Sequence, residues 1–203
     1  MSLSELIHVA WQCTYKCNLE CIHCYAAYNP HELLTTKEAK SLIKQASDLG
    51  VKSFVFTGGE PLLRPDILEL ATFTRDSGMT PIIATNATLL NVKHIKSFKD
   101  CKALIAINLP TLDEEIHTKF TGTPSSLSKK LSASDTCLKQ GLPVSIGVAV
   151  TKVNIDYVEQ VVRFAESRGV PCDILATIPM GRARPNILPN LHSYRLLMIE
   201  LLD

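Results

Sequence analysis

Residues 17–25 read CNLECIHCY, three cysteines inside eight positions, and Cys13 stands four residues upstream of the first. Thiolates crowded in this way repel one another unless a cation neutralises them, and soft sulfur selects zinc, copper(I) or iron–sulfur clusters. Two ligand sets are open. Cys13, Cys17, Cys21 and Cys24 together would complete a tetrahedral structural zinc site, although such sites ordinarily use two separated pairs that tie two pieces of chain together. Cys17, Cys21 and Cys24 alone, spaced C-x-x-x-C-x-x-C, suit a 4Fe-4S cluster whose fourth iron lacks a protein ligand and can bind a small molecule directly. Cys13 falls at the end of an apolar run, where a free cysteine is commonly a small buried hydrophobe.

Four other stretches carry unusual residues: TGGEPLLR (57–64), TNATLL (85–90), NLPTLDEE (108–115) and PMGRARPN (179–186). In the first, Gly58 and Gly59 let the main chain approach a ligand closely and take positive φ, while Glu60 offers acceptor oxygens and Pro61 fixes the turn. Each stretch follows a short apolar run. Leu6 to Trp11, Ser53 to Phe56, Pro81 to Ala84, Ala103 to Leu109, Val144 to Val150 and Asp173 to Ile178 are partly β-branched and bounded by turn residues, so they read as buried parallel strands. Between them lie helical patterns. In TTKEAKSLIKQASDLG, Thr35 and Glu38 form a capping box, Ala39, Leu42, Ile43, Ala46 and Leu49 line one face, and Gly50 follows as a C-terminal stop. Residues 66–78 and 154–169 repeat the pattern, with weaker versions at 92–100 and 125–141, and Asp113 to His117 reads as the first turn of a helix. Alternating β and α units require a parallel sheet, open or closed into a barrel, and ligands are then met where the loops leave the carboxyl ends of the strands.

The 203 residues suit one large domain, and 46% hydrophobic with 20% charged residues is ordinary globular usage. Twenty-one basic against twenty acidic side chains leave a net charge of +1, so no field-scale attraction draws nucleic acid or anionic lipid. Seven cysteines, an odd number with four clustered, make a poor disulfide framework and imply reduced thiols. No segment approaches the length of apolar chain that a bilayer span needs, and the N-terminus lacks the pattern of a signal peptide. The expected location is the cytoplasm, with neither nucleic acid nor membrane as a partner.

C-x-x-x-C-x-x-C after the first strand, GGEP after the second, then TNATLL and PMGRA in order resemble the radical S-adenosylmethionine (radical SAM) superfamily, from about Leu6 to Tyr194. The resemblance is nearest to the core domain of SPASM-type cofactor and peptide maturases, such as those of pyrroloquinoline quinone, mycofactocin and alternative haem synthesis. It implies an α/β fold, a partial (β/α)6 barrel over residues 1–184, with a C-terminal helix at 185–203 that could begin an auxiliary domain. It implies a 4Fe-4S cluster held by Cys17, Cys21 and Cys24, and S-adenosylmethionine cleaved by one electron to a 5′-deoxyadenosyl radical that abstracts hydrogen.

Carried over residue by residue, His23 would lie against the adenine and Tyr25 would offer backbone groups to its edge. Gly58, Gly59, Glu60 and Pro61 would surround the methionyl amine, Thr85 and Asn86 match a strand-three pair, Asn108 could reach a carboxylate or ribose hydroxyl, and Ile178 would stand near the adenine. Arg182 either faces the cavity or joins Arg184 as a solvated pair. Two departures stand out: Ala87 replaces the usual glycine, and no arginine occurs between Arg75 and Arg163. Lys119, Lys129 or Lys130 would therefore meet the methionyl carboxylate, as a point charge rather than a fork. The expected partners are a one-electron donor such as ferredoxin or flavodoxin and a peptide or tetrapyrrole-like substrate. The alternative is a non-catalytic scaffold holding zinc or a fully ligated cluster on four cysteines.

Overall fold

The computed structural model describes residues 8–26 and 33–201; Leu6 and Ile7 of the first expected strand lie outside them. Six strands, β1 (His8–Thr14), β2 (Ser53–Gly58), β3 (Thr80–Thr85), β4 (Leu104–Asn108), β5 (Val144–Val150) and β6 (Cys172–Ala176), form one sheet in the order β1 to β6. Every neighbouring pair is parallel. Among the described residues, seven α-helices connect or follow them: α1 (Thr36–Asp48), α2 (Ile67–Asp76), α3 (Val92–Asp100), α4 (Glu114–Thr121), α5 (Ser126–Lys139), α6 (Val158–Glu166) and α7 (Leu191–Glu200).

Alternation along the strands sorts the residues into two faces. Phe54, Phe56, Ile83, Ile105, Ile107, Ile146, Val148 and Val150 point outward and are buried, in one core with Ile43, Leu70, Phe98, Cys137 and Val161 of the helices. The opposite face carries Thr57, Ala84, Ala106, Asn108, Gly147 and Leu175 and lines a cavity instead. Small residues there leave room over the sheet. Because β1 and β6 do not pair with each other, the six strands make an open barrel.

Local chemistry explains most boundaries. The Thr35–Glu38 capping box is formed at the start of α1. Asp113 is the N-cap of α4, accepting from the Ile116 amide, and the His117 amide closes the first turn on Asp113 O at 2.8 Å, as the sequence suggested. Two expectations shift. The pattern at 154–169 yields α6 only from Val158, because buried Asn154 bonds Thr151 and the Pro110 and Ala149 carbonyls and the next three residues form a 3-10 turn. The last strand stops at Ala176 rather than Ile178: the Thr177 hydroxyl takes the Val150 carbonyl at 2.7 Å and so caps the ladder. No described helix is long and apolar enough to cross a membrane.

Candidate functional site

β1 leads directly into the cysteine loop, and three other segments grip that loop. A register shift between Gln12 and Thr14 bends the end of β1 where it pairs with β2. Just beyond, the Gly59 amide donates to Thr14 O at 2.7 Å and the Glu60 amide to Lys16 O at 2.8 Å. A Cβ on Gly58 would lie 2.3 Å from Thr14 O, and one on Gly59 would lie 2.2 Å from Lys16 O. The two glycines are thus required by the loop's own backbone, and Gly58, at φ +124°, also needs the freedom only glycine has.

On a second side, the Glu20 and Ile22 amides donate to Thr121 O and Phe120 O, both at 2.9 Å. These are C-terminal carbonyls of α4, which a helix leaves without intrahelical partners. On the third side, the Arg182 amide donates to Cys24 O at 2.9 Å and its Nε to Cys21 O at 3.0 Å. Arg182 therefore belongs to the loop's framework, and Arg184 stands exposed apart from it.

The cavity, 290 Å³, is lined by Cys17, Cys21 and Cys24 together with His23, Tyr25, Gly58, Gly59, Thr85, Asn86, Asn108 and Arg182, among others. Cys13 is not there; it is fully buried in the core, and burial pushes its thiol up to about 12. Burial also raises Cys17, and raises Cys21 to about 11 despite Lys130 nearby. A nearby cation would favour ionisation of both Cys17 and Cys21 against that burial. The Leu19 amide approaches Cys17 Sγ at 3.4 Å and Asn86 Nδ2 approaches it at 3.9 Å, the N–H to sulfur contacts that accompany iron–sulfur ligation.

Among the described residues no three His, Cys, Asp or Glu side chains stand close enough to share one metal ion. A single zinc draws each sulfur to about 2.3 Å, whereas a multi-iron cluster assigns one iron to each thiol and keeps them apart. The donor set fits the cluster, and the four-thiol alternative lacks its fourth ligand.

Glu60 departs from expectation. It is fully buried and outside the cavity lining. Its carboxylate accepts from the Leu62 amide at 3.0 Å, the Thr85 hydroxyl at 2.6 Å and the Asn86 amide at 2.8 Å. Burial raises its pKa, opposed by those donors. Glu60 is therefore a tie between the β2 and β3 loops, and the Thr85 hydroxyl is bound to it although Thr85 lines the cavity. Pro61 is buried as the first residue of a 3-10 turn and also lies outside the lining, as does Ile178, 56% exposed beyond the end of β6.

Asn86 holds Asn18 Oδ1 at 3.0 Å and turns back to accept from the Thr88 amide. Ala87 takes φ +62°, a left-handed conformation that a glycine would adopt without strain. His23 packs its ring 4.7 Å from Phe120, and its buried Nδ1 has no partner; burial first, then Lys130 and Arg182, lower it to about 4, so the ring is neutral.

The three candidate lysines separate cleanly. Lys119 is exposed and paired with Glu115, and Lys129 is exposed. Lys130, from α5, is 1% exposed and donates to Asn108 O at 2.9 Å. Burial lowers it to about 8, opposed by Cys21, Glu60 and Cys17. Like Glu60, Lys130 lies outside the cavity lining, and among the described residues its ammonium has one acceptor, Asn108 O. Two features of this end of the barrel escape sequence reading: buried His117, whose Nδ1 meets Ser126 Oγ at 3.2 Å while Nε2 has no partner, and Asp173 in the cavity wall. His117 could have been found from its place on the buried face of an amphipathic helix, and Asp173 from alternation along β6.

Residues 11–165 match the family model of the Radical SAM superfamily. An AdoMet-dependent heme synthase of Methanosarcina barkeri is 31% identical over 179 residues, 86% of this chain and 51% of that protein. A Fe-coproporphyrin III synthase of the same organism is 31% identical over 167 residues, 80% of this chain and 42% of that protein. The chain thus spans about half the length of these relatives. Among solved structures, Streptococcus suis SuiB bound to S-adenosylmethionine superposes with a TM-score of 0.85, covering 98% of this chain and 47% of that one at 21% identity, a likeness of fold.

Proposed function

Because the chain belongs to the radical SAM superfamily, we propose that it binds a 4Fe-4S cluster on Cys17, Cys21 and Cys24 and uses it to cleave S-adenosylmethionine for hydrogen abstraction. The observation that carries this reading is the convergence of those three thiols, without Cys13, on one cavity. A cluster held there would supply the electron that splits the sulfonium into methionine and a 5′-deoxyadenosyl radical.

The protein's own residues hold and orient the reactants. The GGE turn, the end of α4 and the Gly181–Arg182 loop fix the cysteine backbone before any ligand arrives, which is the preorganisation that positioning chemistry demands. Gly58 and Gly59, packed against the cysteine loop, also line the cavity beside the thiols, where a methionyl amine can sit. Lys130, behind the cavity wall, supplies the positive charge for the methionyl carboxylate that the missing arginine would have supplied, and Asn108, whose carbonyl holds it, lines the cavity. Neutral His23, packed on Phe120, offers a flat face for the adenine. The largely apolar inner face of the sheet keeps water from a reactive carbon.

Named relatives in haem and coproporphyrin synthesis and a precursor-peptide complex of SuiB support a peptide or tetrapyrrole-like precursor as substrate; the electron would come from a small one-electron protein such as ferredoxin or flavodoxin. Anaerobic reconstitution with iron and sulfide, followed by dithionite and S-adenosylmethionine, tests the reaction. We expect 5′-deoxyadenosine to form without added substrate and to vanish in Cys21→Ser; its absence from fully loaded protein would refute the reading.

A further inference from the structure

The cavity beneath the cysteine rim is not uniformly apolar. Strands β4, β5 and β6 pair with Asn108 beside Gly147 and Gly147 beside Asp173, so the three positions share the inner face and stand in one row. Parallel-strand spacing sets Asn108 and Asp173 about 10 Å apart. Gly147 between them has no side chain, and a Cβ there would meet only Leu175 Cδ1, at 3.6 Å. The row is a slot over bare backbone, with an amide at one end and a carboxylate at the other.

Asp173 is the one carboxylate, and Arg182 the one fixed cation, among the described residues that line the cavity. Arg182 is committed through Nε to the Cys21 carbonyl. No described group donates a hydrogen bond to Asp173 or forms an ion pair with it. On β6 it precedes Leu175, so it lies one inner step, roughly 6.6 Å, further from the cysteine rim. If S-adenosylmethionine occupies the rim, as proposed above and as this inference requires, Asp173 faces whatever lies beyond the cofactor.

Asp173 is exposed, on the edge strand β6 at the open side of the cavity, so its carboxylate is reached directly by a cation that enters from that side, with an attraction moderated by solvent. We infer that Asp173 is a specificity-determining residue that receives an ammonium or guanidinium group of the substrate, whose apolar part lies over Ala106 and Gly147. Of the two substrate kinds, a peptide with a basic side chain suits this wall. A ring bearing carboxylates would set like charges together.

Cluster-loaded protein saturated with S-adenosylmethionine, titrated calorimetrically with benzylammonium, benzyl alcohol and benzoate, tests the inference. Wild-type protein should bind benzylammonium several-fold more tightly than the alcohol, and benzoate most weakly of the three. Asp173→Asn should lose that preference, Asp173→Glu should keep part of it, and both should retain affinity for S-adenosylmethionine. Equal binding of ammonium and alcohol, no binding of any probe, or a preference that survives in Asp173→Asn would overturn the inference. So would a comparable fall in S-adenosylmethionine affinity, which would assign Asp173 to the cofactor. Failure of the proposed reaction would appear separately, as missing 5′-deoxyadenosine in the same samples.

Discussion

At the scale of single residues, burial decides what each polar group does. Lys130 and Lys129 are adjacent in sequence, yet only Lys130 is enclosed beside the thiols; nothing in the local pattern KK distinguishes them, since the choice follows from which face of α5 meets the sheet. Lys130→Met is expected to weaken S-adenosylmethionine binding by tenfold or more while iron content stays unchanged, and Lys130→Arg to recover part of the loss, as read by equilibrium binding to reconstituted protein. Glu60 teaches the same lesson in reverse. Its GGEP context was legible, but a carboxylate that could have faced a ligand is saturated by three protein donors.

His117 gives a pH signature. Burial lowers it to about 3 from an unfolded value of 6.5, so between those limits the unfolded chain binds the extra proton and acid favours unfolding. Buried His23 and partly buried His94 are lowered too and act in the same direction. His117 and His23, lowered to about 3 and about 4, each remove on the order of 1.4 kcal/mol per pH unit well below 6.5. Urea midpoints from pH 6.5 to 5 should fall, and His117→Asn should flatten the slope by about one proton's worth.

At the scale of elements, strands and helices were readable because burial on one or both faces leaves a period in the sequence, and because Thr35, Glu38 and Asp113 announce helix starts. Their ends were less readable. Asn154 and Thr177 act through hydrogen bonds to carbonyls distant in sequence, which no local pattern reveals. The β2 turn is the sharpest case of an element built for its neighbour. Gly59 suggested a close approach to ligand, and the structure shows the backbone of the cysteine loop itself in that place. Gly59→Ala must displace Lys16 O, so it is expected to abolish retention of iron after desalting even where the far-ultraviolet circular dichroism is preserved. Normal iron content in that variant would mean that the turn does not set the loop.

At the scale of the whole molecule, six parallel strands in sequential order bring loops separated by more than 150 residues to one rim. That gathering was legible from the βα rhythm alone, since parallel strands put every following loop at the same end of the sheet. What the rhythm left open was whether the sheet closes and what occupies its inner face. The answer depends on side-chain size at Ala84, Ala106 and Gly147, whose smallness makes a cavity. The cysteine spacing suggested the proposed cluster, whereas exclusion of Cys13 needed the register of β1 and its position in the core.

The central claim is that three thiols leave one iron open to a small sulfonium. Electron paramagnetic resonance of the reduced, reconstituted protein, recorded before and after adding S-adenosylmethionine, examines that iron directly. The account requires about four irons per chain, unaffected by Cys13→Ala, and a spectrum whose g-values move when S-adenosylmethionine is added. A spectrum indifferent to S-adenosylmethionine, or a cluster lost on changing Cys13, would contradict it.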